Sequence, residues 1–127
     1  MTAPPVPVLI VDDQAPFRRA ARAVLTATPG FEVVGEAESG EQALELEPSL
    51  RPSLVLMDIN MPGIDGIEAT RRLKGRNPEL VVILLSTYQA DDLPAGATLS
   101  GAAGYVHKEE FGSQVLRDLW ERHGHAA

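Results

Sequence analysis

Leu54-Val55-Leu56-Met57-Asp58-Ile59-Asn60-Met61-Pro62-Gly63 opens as an unbroken apolar run and then stops on an acid. Leu54 to Met57 show no polar alternation. A strand buried on both faces reads this way, which places it in the middle of a parallel sheet covered by helices. Val8-Leu9-Ile10-Val11 upstream and Val81-Val82-Ile83-Leu84-Leu85 downstream have the same character. Phe31 to Val34 and Tyr105-Val106 are weaker strand candidates.

Helical stretches fill the intervals. Phe17, Ala20, Ala21, Val24 and Leu25 form one face, Arg18, Arg19 and Arg22 another, and Pro16 is tolerable in a first turn. Ser39 followed by Gln42 predicts a capping box ahead of Ala43, Leu44 and Leu46. Ile64, Ile67 and Leu73 give a third apolar stripe; Phe111, Val115, Leu116, Leu119 and Trp120 give a fourth. A β-α unit repeated about five times implies a right-handed, doubly wound α/β sheet. One unit departs from the rhythm. Asp91 to Ala103 holds Pro94, Gly96 and Gly101, with only Leu93 and Leu99 as large apolar residues. An interior Gly costs about 1 kcal/mol relative to Ala, so a short or loosely held helix is expected there.

A chain of 127 residues fits one domain. The hydrophobic fraction of 44% is that of an ordinary globular protein. With no cysteine, disulfides and thiolate metal sites are excluded. No apolar run approaches the roughly 20 residues that cross a bilayer, and Met1 to Pro7 lack the basic start and apolar stretch of a signal peptide. A cytoplasmic protein without membrane contact is the expectation. The net charge of −7, with no basic cluster beyond Arg71, Arg72 and Lys74, argues against direct nucleic-acid binding.

Polar residues fall directly after the apolar runs. Asp12 and Asp13 follow the first strand, Asp58 the third, Ser86 and Thr87 the fourth, and Lys108 lies two residues past the fifth. In an open parallel sheet these ends point the same way, and ligands bind where the strand order switches. Three carboxylates gathered there would raise one another's pKa unless a cation compensates. An all-oxygen ligand set without His or Cys suits Mg²⁺. Lys108 offers a compact positive charge and Ser86 a hydroxyl donor. Two acids, a central Asp, a hydroxyl and a Lys together make a phosphoryl-transfer site with a carboxylate nucleophile. Each piece alone has an ordinary explanation. Asp12 or Asp13 could cap the first helix, Asp58 could be a turn residue, Ser86 could begin a loop, and Lys108 stands in a solvated charge run with Glu109 and Glu110. Their coincidence at successive strand ends outweighs these.

The sequence resembles the receiver domain of bacterial response regulators from about Val6 to about Arg122. The residues that carry the resemblance are Leu9-Ile10-Val11-Asp12-Asp13, Leu56-Met57-Asp58-Ile59-Asn60-Met61-Pro62-Gly63-Ile64-Asp65-Gly66, Leu84-Leu85-Ser86-Thr87 and Gly104-Tyr105-Val106-His107-Lys108. It implies the (βα)5 flavodoxin-like receiver fold, with a five-stranded parallel sheet of order 2-1-3-4-5. The receiver would span residues 6–123, after a disordered leader (1–5) and before a tail (124–127). By the same resemblance Asp58 accepts a phosphoryl group from a phosphohistidine. Asp13 binds Mg²⁺ directly, Asp12 assists, and the backbone carbonyl of Asn60 completes the protein's share of the metal shell with Asp58. Lys108 and Ser86 bind phosphoryl oxygens, Thr87 lines the pocket, and the orientation of Tyr105 tracks the state of Ser86. The implied partners are a sensor histidine kinase or phosphotransfer protein, and an output protein or a DNA-binding domain outside this chain, with homodimerisation an option. The output surface would include the unusual 91–103 segment.

Two other classes stay open at this point. A degenerate receiver would act as a phosphorylation-independent interaction module. A Mg²⁺-dependent phosphohydrolase with an aspartyl nucleophile would carry a second acid two residues on, where this chain has Asn60. Otherwise the protein is expected to be a signalling domain rather than an enzyme. Nucleotide binding is disfavoured because Asp12-Asp13-Gln14, not a Gly-rich loop, follows the first strand.

Overall fold

A computed structural model describes residues 4–87, 96–97 and 99–124. The three unbroken apolar runs are β1 (Val6–Val11), β3 (Leu54–Asp58) and β4 (Val81–Ser86). They form the centre of a five-stranded sheet of order β2-β1-β3-β4-β5, with β2 (Phe31–Ala37) and β5 (Gly104–His107) at the edges and every pairing parallel. Every residue of β3 and β4 is buried, as strands covered on both faces must be.

Alternate residues of these strands feed two cores. Leu9, Val11, Val55, Met57, Val82 and Leu84 pack with Ala43 of α2 (Gly40–Leu50) and Ala69 and Leu73 of α3 (Gly66–Arg76). Val8, Ile10, Leu54, Leu56, Ile83 and Leu85 pack with Ala21 and Leu25 of α1 (Ala15–Ala27) and Leu116 of α4 (Ser113–His123). Helices on both faces of a parallel sheet with this strand order make the flavodoxin-like, doubly wound fold expected from the sequence.

Several local expectations are refined. β2 extends to Ala37 rather than stopping at Val34. Ser39 caps α2 by accepting from the Gln42 N–H at 3.0 Å, but the Gln42 side chain accepts from the Glu38 N–H at 2.6 Å, so the capping box is displaced by one residue. Ile64 precedes α3, which starts at Gly66 behind an Asp65 cap. Phe111 precedes α4, at the end of a 3₁₀ turn over Lys108–Glu110. That turn begins immediately after β5, so Lys108 directly follows the strand. Of the helix expected between Asp91 and Ala103, residues 91–95 and 98 lie outside the described residues; Gly96–Ala97 and residues 99–101 lie in turns. Residues 1–3 of the expected leader and 125–127 of the expected tail also lie outside them. Among the described residues no helix is long and apolar enough to cross a membrane.

Register fixes which residues can meet. Val11 pairs with Met57, Asp58 with Leu85 and Ser86 with His107. The residues that follow β1, β3, β4 and β5 therefore emerge side by side at one edge.

Candidate functional site

Asp12 is the first residue beyond β1 and is almost wholly buried. Its N–H donates to the carbonyl oxygen of Ala37 at 3.0 Å, continuing the β1–β2 ladder past the strand end. Its carboxylate Oδ1 accepts from the Gln14 N–H at 2.8 Å. Helix α1 is capped by Gln14 without a side-chain bond, so neither Asp12 nor Asp13 serves as its cap. Oδ2 of Asp12 is left pointing into the site, buried and with no hydrogen-bond donor aligned on it. Its compensation is an ion pair with Lys108 Nζ at 2.7 Å.

Asp58 ends β3 and is buried. Gly66 makes its close environment possible: the Gly66 N–H donates to the carbonyl oxygen of Ile59 at 2.8 Å, and a Cβ at this position would overlap the carbonyl of Asp58. Only glycine lets α3 start this near the strand end. Asp12, Asp13 and Asp58 each present an oxygen, all within 4.8 Å of one another. Lys108 reaches in from the end of β5, 3.3 Å from Asp58 Oδ1, and its ammonium lies 4.6 Å from the ring centroid of Phe17. Phe17 in turn packs against Phe111 at 6.5 Å, which closes the site on the α1–α4 side.

The electrostatics follow from this crowding. Burial, then the charge of Asp12, push the Asp58 carboxyl up to about 6, against the opposing pull of Lys108. Burial works to lower Lys108, but its close contact with Asp12 and the charges of Asp58 and Asp12 outweigh it, and the ammonium titrates above the ordinary lysine value. One ammonium thus faces three carboxylates. A buried carboxylate whose Oδ2 meets a single ammonium, an exposed carboxylate beside it and a third whose ionisation is opposed by burial and by Asp12 are what a hard divalent cation would complete. The residues present fit Mg²⁺.

Asp58 and Lys108 share a cavity of about 260 Å³ with Gln14, Phe17, Asn60, Ser86 and Thr87. Ser86 is buried at the end of β4, and Thr87 is exposed beyond it. Tyr105 lies outside this cavity. It lines another, of about 380 Å³ between β5 and α4, with Val106, His107, Val115, Leu119 and Arg122. Its hydroxyl donates to the backbone carbonyl of Ser86 at 3.5 Å, and burial raises its phenol above the usual tyrosine value. His107 reaches the same loop: its Nδ1 accepts from the Glu109 N–H at 3.2 Å, which leaves Nε2 as the donor to the Thr87 carbonyl at 3.0 Å. The strand ends thus bring Asp12, Asp13, Asp58 and Lys108 into direct association, with Asn60, Ser86 and Thr87 around the opening and Tyr105 touching from behind. Sequence reasoning placed Gln14 beside the site but missed Phe17 and Arg18 as parts of it. The available signal was their position on the first turn of the helix after the acidic pair.

A family model described as the response regulator receiver domain matches residues 8–120. The transcriptional regulatory protein DegU of Brevibacillus brevis is 40% identical over 104 residues, which cover 82% of this chain and 44% of that protein. The chain spans about half the length of the curated relatives it matches. Among solved structures, the response regulator domain of Thermotoga maritima CheB superposes with a TM-score of 0.82 at 27% identity, covering 97% of this chain and 99% of that one. A chain from the CheX–CheY–BeF₃–Mg²⁺ complex of Borrelia burgdorferi gives 0.83 at 26% identity, covering 94% and 90%.

Proposed function

Because this chain belongs to the response regulator receiver family, we propose that it is a Mg²⁺-dependent phosphoswitch whose phosphoryl group is carried by Asp58. The observation that supports this most directly is the gathering of a buried Asp58, held near 6, with Asp13 and a buried Asp12 whose Oδ2 has the Lys108 ammonium as its partner, in one acidic cluster. Asp12, Asp13, Asp58 and the backbone carbonyl of Asn60 would hold the ion. The chemistry it supplies when bound is neutralisation of the clustered carboxylates and of the phosphoryl oxygens.

The protein's own groups do the rest. An Asp58 carboxylate oxygen attacks phosphorus as the P–N bond of a phosphohistidine breaks and its electron pair returns to the imidazole, leaving an acyl phosphate on Asp58. Lys108, already protonated and directed at Asp58, pairs with the new phosphoryl oxygens, and the Ser86 hydroxyl donates to them. The phosphoryl group adds nearly two negative charges. Ser86 and Lys108 are drawn toward it, which displaces the backbone that Tyr105 and His107 contact. Switching is then a shift between two packings, biased by the differential contacts of the phosphoryl group.

The donor would be a sensor histidine kinase or phosphotransfer protein in the cytoplasm. The receiver of the signal would be an output protein or a DNA-binding domain, with homodimerisation as one route. The test is intact-protein mass spectrometry after incubation with acetyl phosphate and Mg²⁺. A single phosphoryl adduct is expected in the wild type, and none in Asp58→Asn or with chelator present. Undiminished phosphorylation of Asp58→Asn would refute the assignment of the nucleophile.

A further inference from the structure

Arg18 stands at the start of α1, on the helix face that its charge would assign to solvent, yet its side chain is only 12% exposed. Each of its three guanidinium nitrogens has a partner. Nη1 donates to the backbone carbonyl of Asp12 at 2.6 Å, Nε donates to Glu36 Oε1 at 3.1 Å, and Nη2 pairs with Glu38 at 3.5 Å. Arg22 shares Glu36, at 2.6 Å, without touching Asp12.

The carbonyl of Asp12 belongs to the same peptide unit as the N–H of Asp13. The Asp13 carboxylate is exposed and makes no hydrogen bond or ion pair with any described residue, so its backbone, which sets the Cα–Cβ direction, is what places it beside the other acids. The preceding residue is held by the Ala37 carbonyl at its N–H and by the Gln14 N–H at its carboxylate. The bond from Arg18 is the constraint that falls on the Asp12–Asp13 peptide itself.

We propose that Arg18 is a positioning residue of the cation site: by fixing the Asp12–Asp13 peptide it aims the Asp13 carboxylate and Oδ2 of Asp12 at one shared divalent cation. The proposal rests on the reading of the acidic cluster as a Mg²⁺ site. Simple electrostatics predicts the opposite sign. A guanidinium near three carboxylates repels a divalent cation, so removing it should tighten binding. Here Glu36 and Glu38 already neutralise that guanidinium, and orientation decides the outcome.

The experiment titrates the metal-free full chain with MgCl₂, following amide shifts by ¹H–¹⁵N NMR, with urea unfolding measured separately in the absence of the ion. Arg18→Met is expected to raise the Mg²⁺ midpoint roughly three- to tenfold, up to the lower end of what outer partners of metal ligands contribute. Arg18→Lys keeps the charge but loses the planar fork that serves the carbonyl and Glu36 together, so it should raise the midpoint by a smaller factor. Arg22→Met should leave it unmoved. An unchanged or lowered midpoint in Arg18→Met, whatever happens to its stability, would overturn the proposal. If Arg18→Met does not fold, Arg18→Lys decides alone, because pure electrostatics leaves its midpoint where the wild type has it. A wild type that shows no Mg²⁺ response overturns the site reading itself, whereas a responsive wild type with indifferent Arg18 variants overturns only this inference.

Discussion

The two flanks of the site are built by different rules. On the β1–β3 flank, Asp12 is held at its N–H, its carbonyl and its Oδ1, and Asp58 sits under a helix start that tolerates only glycine. On the β4–β5 flank, Tyr105 and His107 reach across from an edge strand to the backbone carbonyls of Ser86 and Thr87. A constraint on the backbone persists whatever rotamer a side chain adopts. A contact made by an aromatic or imidazole ring from an edge strand is lost by a χ1 rotation that leaves the sheet intact. The acidic flank is therefore fixed in advance, and the flank proposed to sense the phosphoryl group is the one whose contacts a side-chain rotation could exchange. A phosphoswitch needs one of each.

The largest expected effect tests the rigid flank. Gly66→Ala forces a Cβ into the Asp58 carbonyl, where the contact is backbone and cannot yield by a rotamer change. A loss of about 2–4 kcal/mol in urea unfolding is expected, the range for steric intrusion into a packed interior, together with impaired phosphorylation at Asp58. Full stability in this variant would show that the β3–α3 corner is looser than its geometry implies.

Asp58 gives the next effect, and its sign is distinctive. Its folded-state value of about 6 lies above the ordinary 3.8. The folded protein therefore binds the extra proton between these values, and stability falls as pH rises from about 4 to about 6. Ionisation costs about 3 kcal/mol on that scale. Metal-free Asp58→Asn should be more stable than wild type at pH 7 by about 1–3 kcal/mol, and its stability should lack the decline through this window. Saturating Mg²⁺ should erase the difference by stabilising the wild type. Coincident pH–stability curves for the two proteins would contradict the buried, repelled Asp58.

Lys108→Ala leaves Asp12 and Asp58 facing each other without their ammonium. Because Lys108 is 14% exposed at its side chain, the loss should stay below that of a fully buried pair, at about 2 kcal/mol in metal-free protein at pH 7. It should shrink when Mg²⁺ is added. Phosphorylation should persist while the NMR shifts that report switching at Ser86 and Tyr105 disappear. Phosphorylation accompanied by the full switching shifts would overturn the role assigned to Lys108.

What the sequence made legible follows the same division. The central strands could be read because double-sided burial writes unbroken apolar runs at β1, β3 and β4, whereas their order came only with the resemblance to the receiver family. Asp12, Asp13, Asp58 and Lys108 stood out because each follows such a run or its edge-strand counterpart. β2 was read short, since an edge strand carries Gly35 and Glu36 in its second half and Glu36 faces Arg18 and Arg22 rather than a core. Phe17 was read as part of an apolar helix face, and it is; periodicity tells which way a side chain turns but not that a lysine ammonium from the far end of the chain will rest on its ring. Arg18 was assigned to the polar face for its charge, although its stem and guanidinium are buried by acids contributed from β2 and its edge. These misses are long-range pairings between elements, which a local pattern does not encode.

The smallest expected effect is also the one that isolates the β4–β5 flank. Tyr105→Phe removes a hydroxyl whose contact with the Ser86 carbonyl is long, at 3.5 Å, so it should change stability by no more than about 0.5 kcal/mol. The ring keeps its place between β5 and α4, and Mg²⁺ affinity, set on the other flank, should not move. If the contact biases the loop after β4 toward one arrangement, its loss should still shift the balance of the two. The Ser86 and Thr87 amides would then show altered exchange between phosphorylated and unphosphorylated states in relaxation-dispersion NMR. Unaltered exchange would confine the two-state element to Ser86, Lys108 and the His107 bond to Thr87, and remove Tyr105 from the switch.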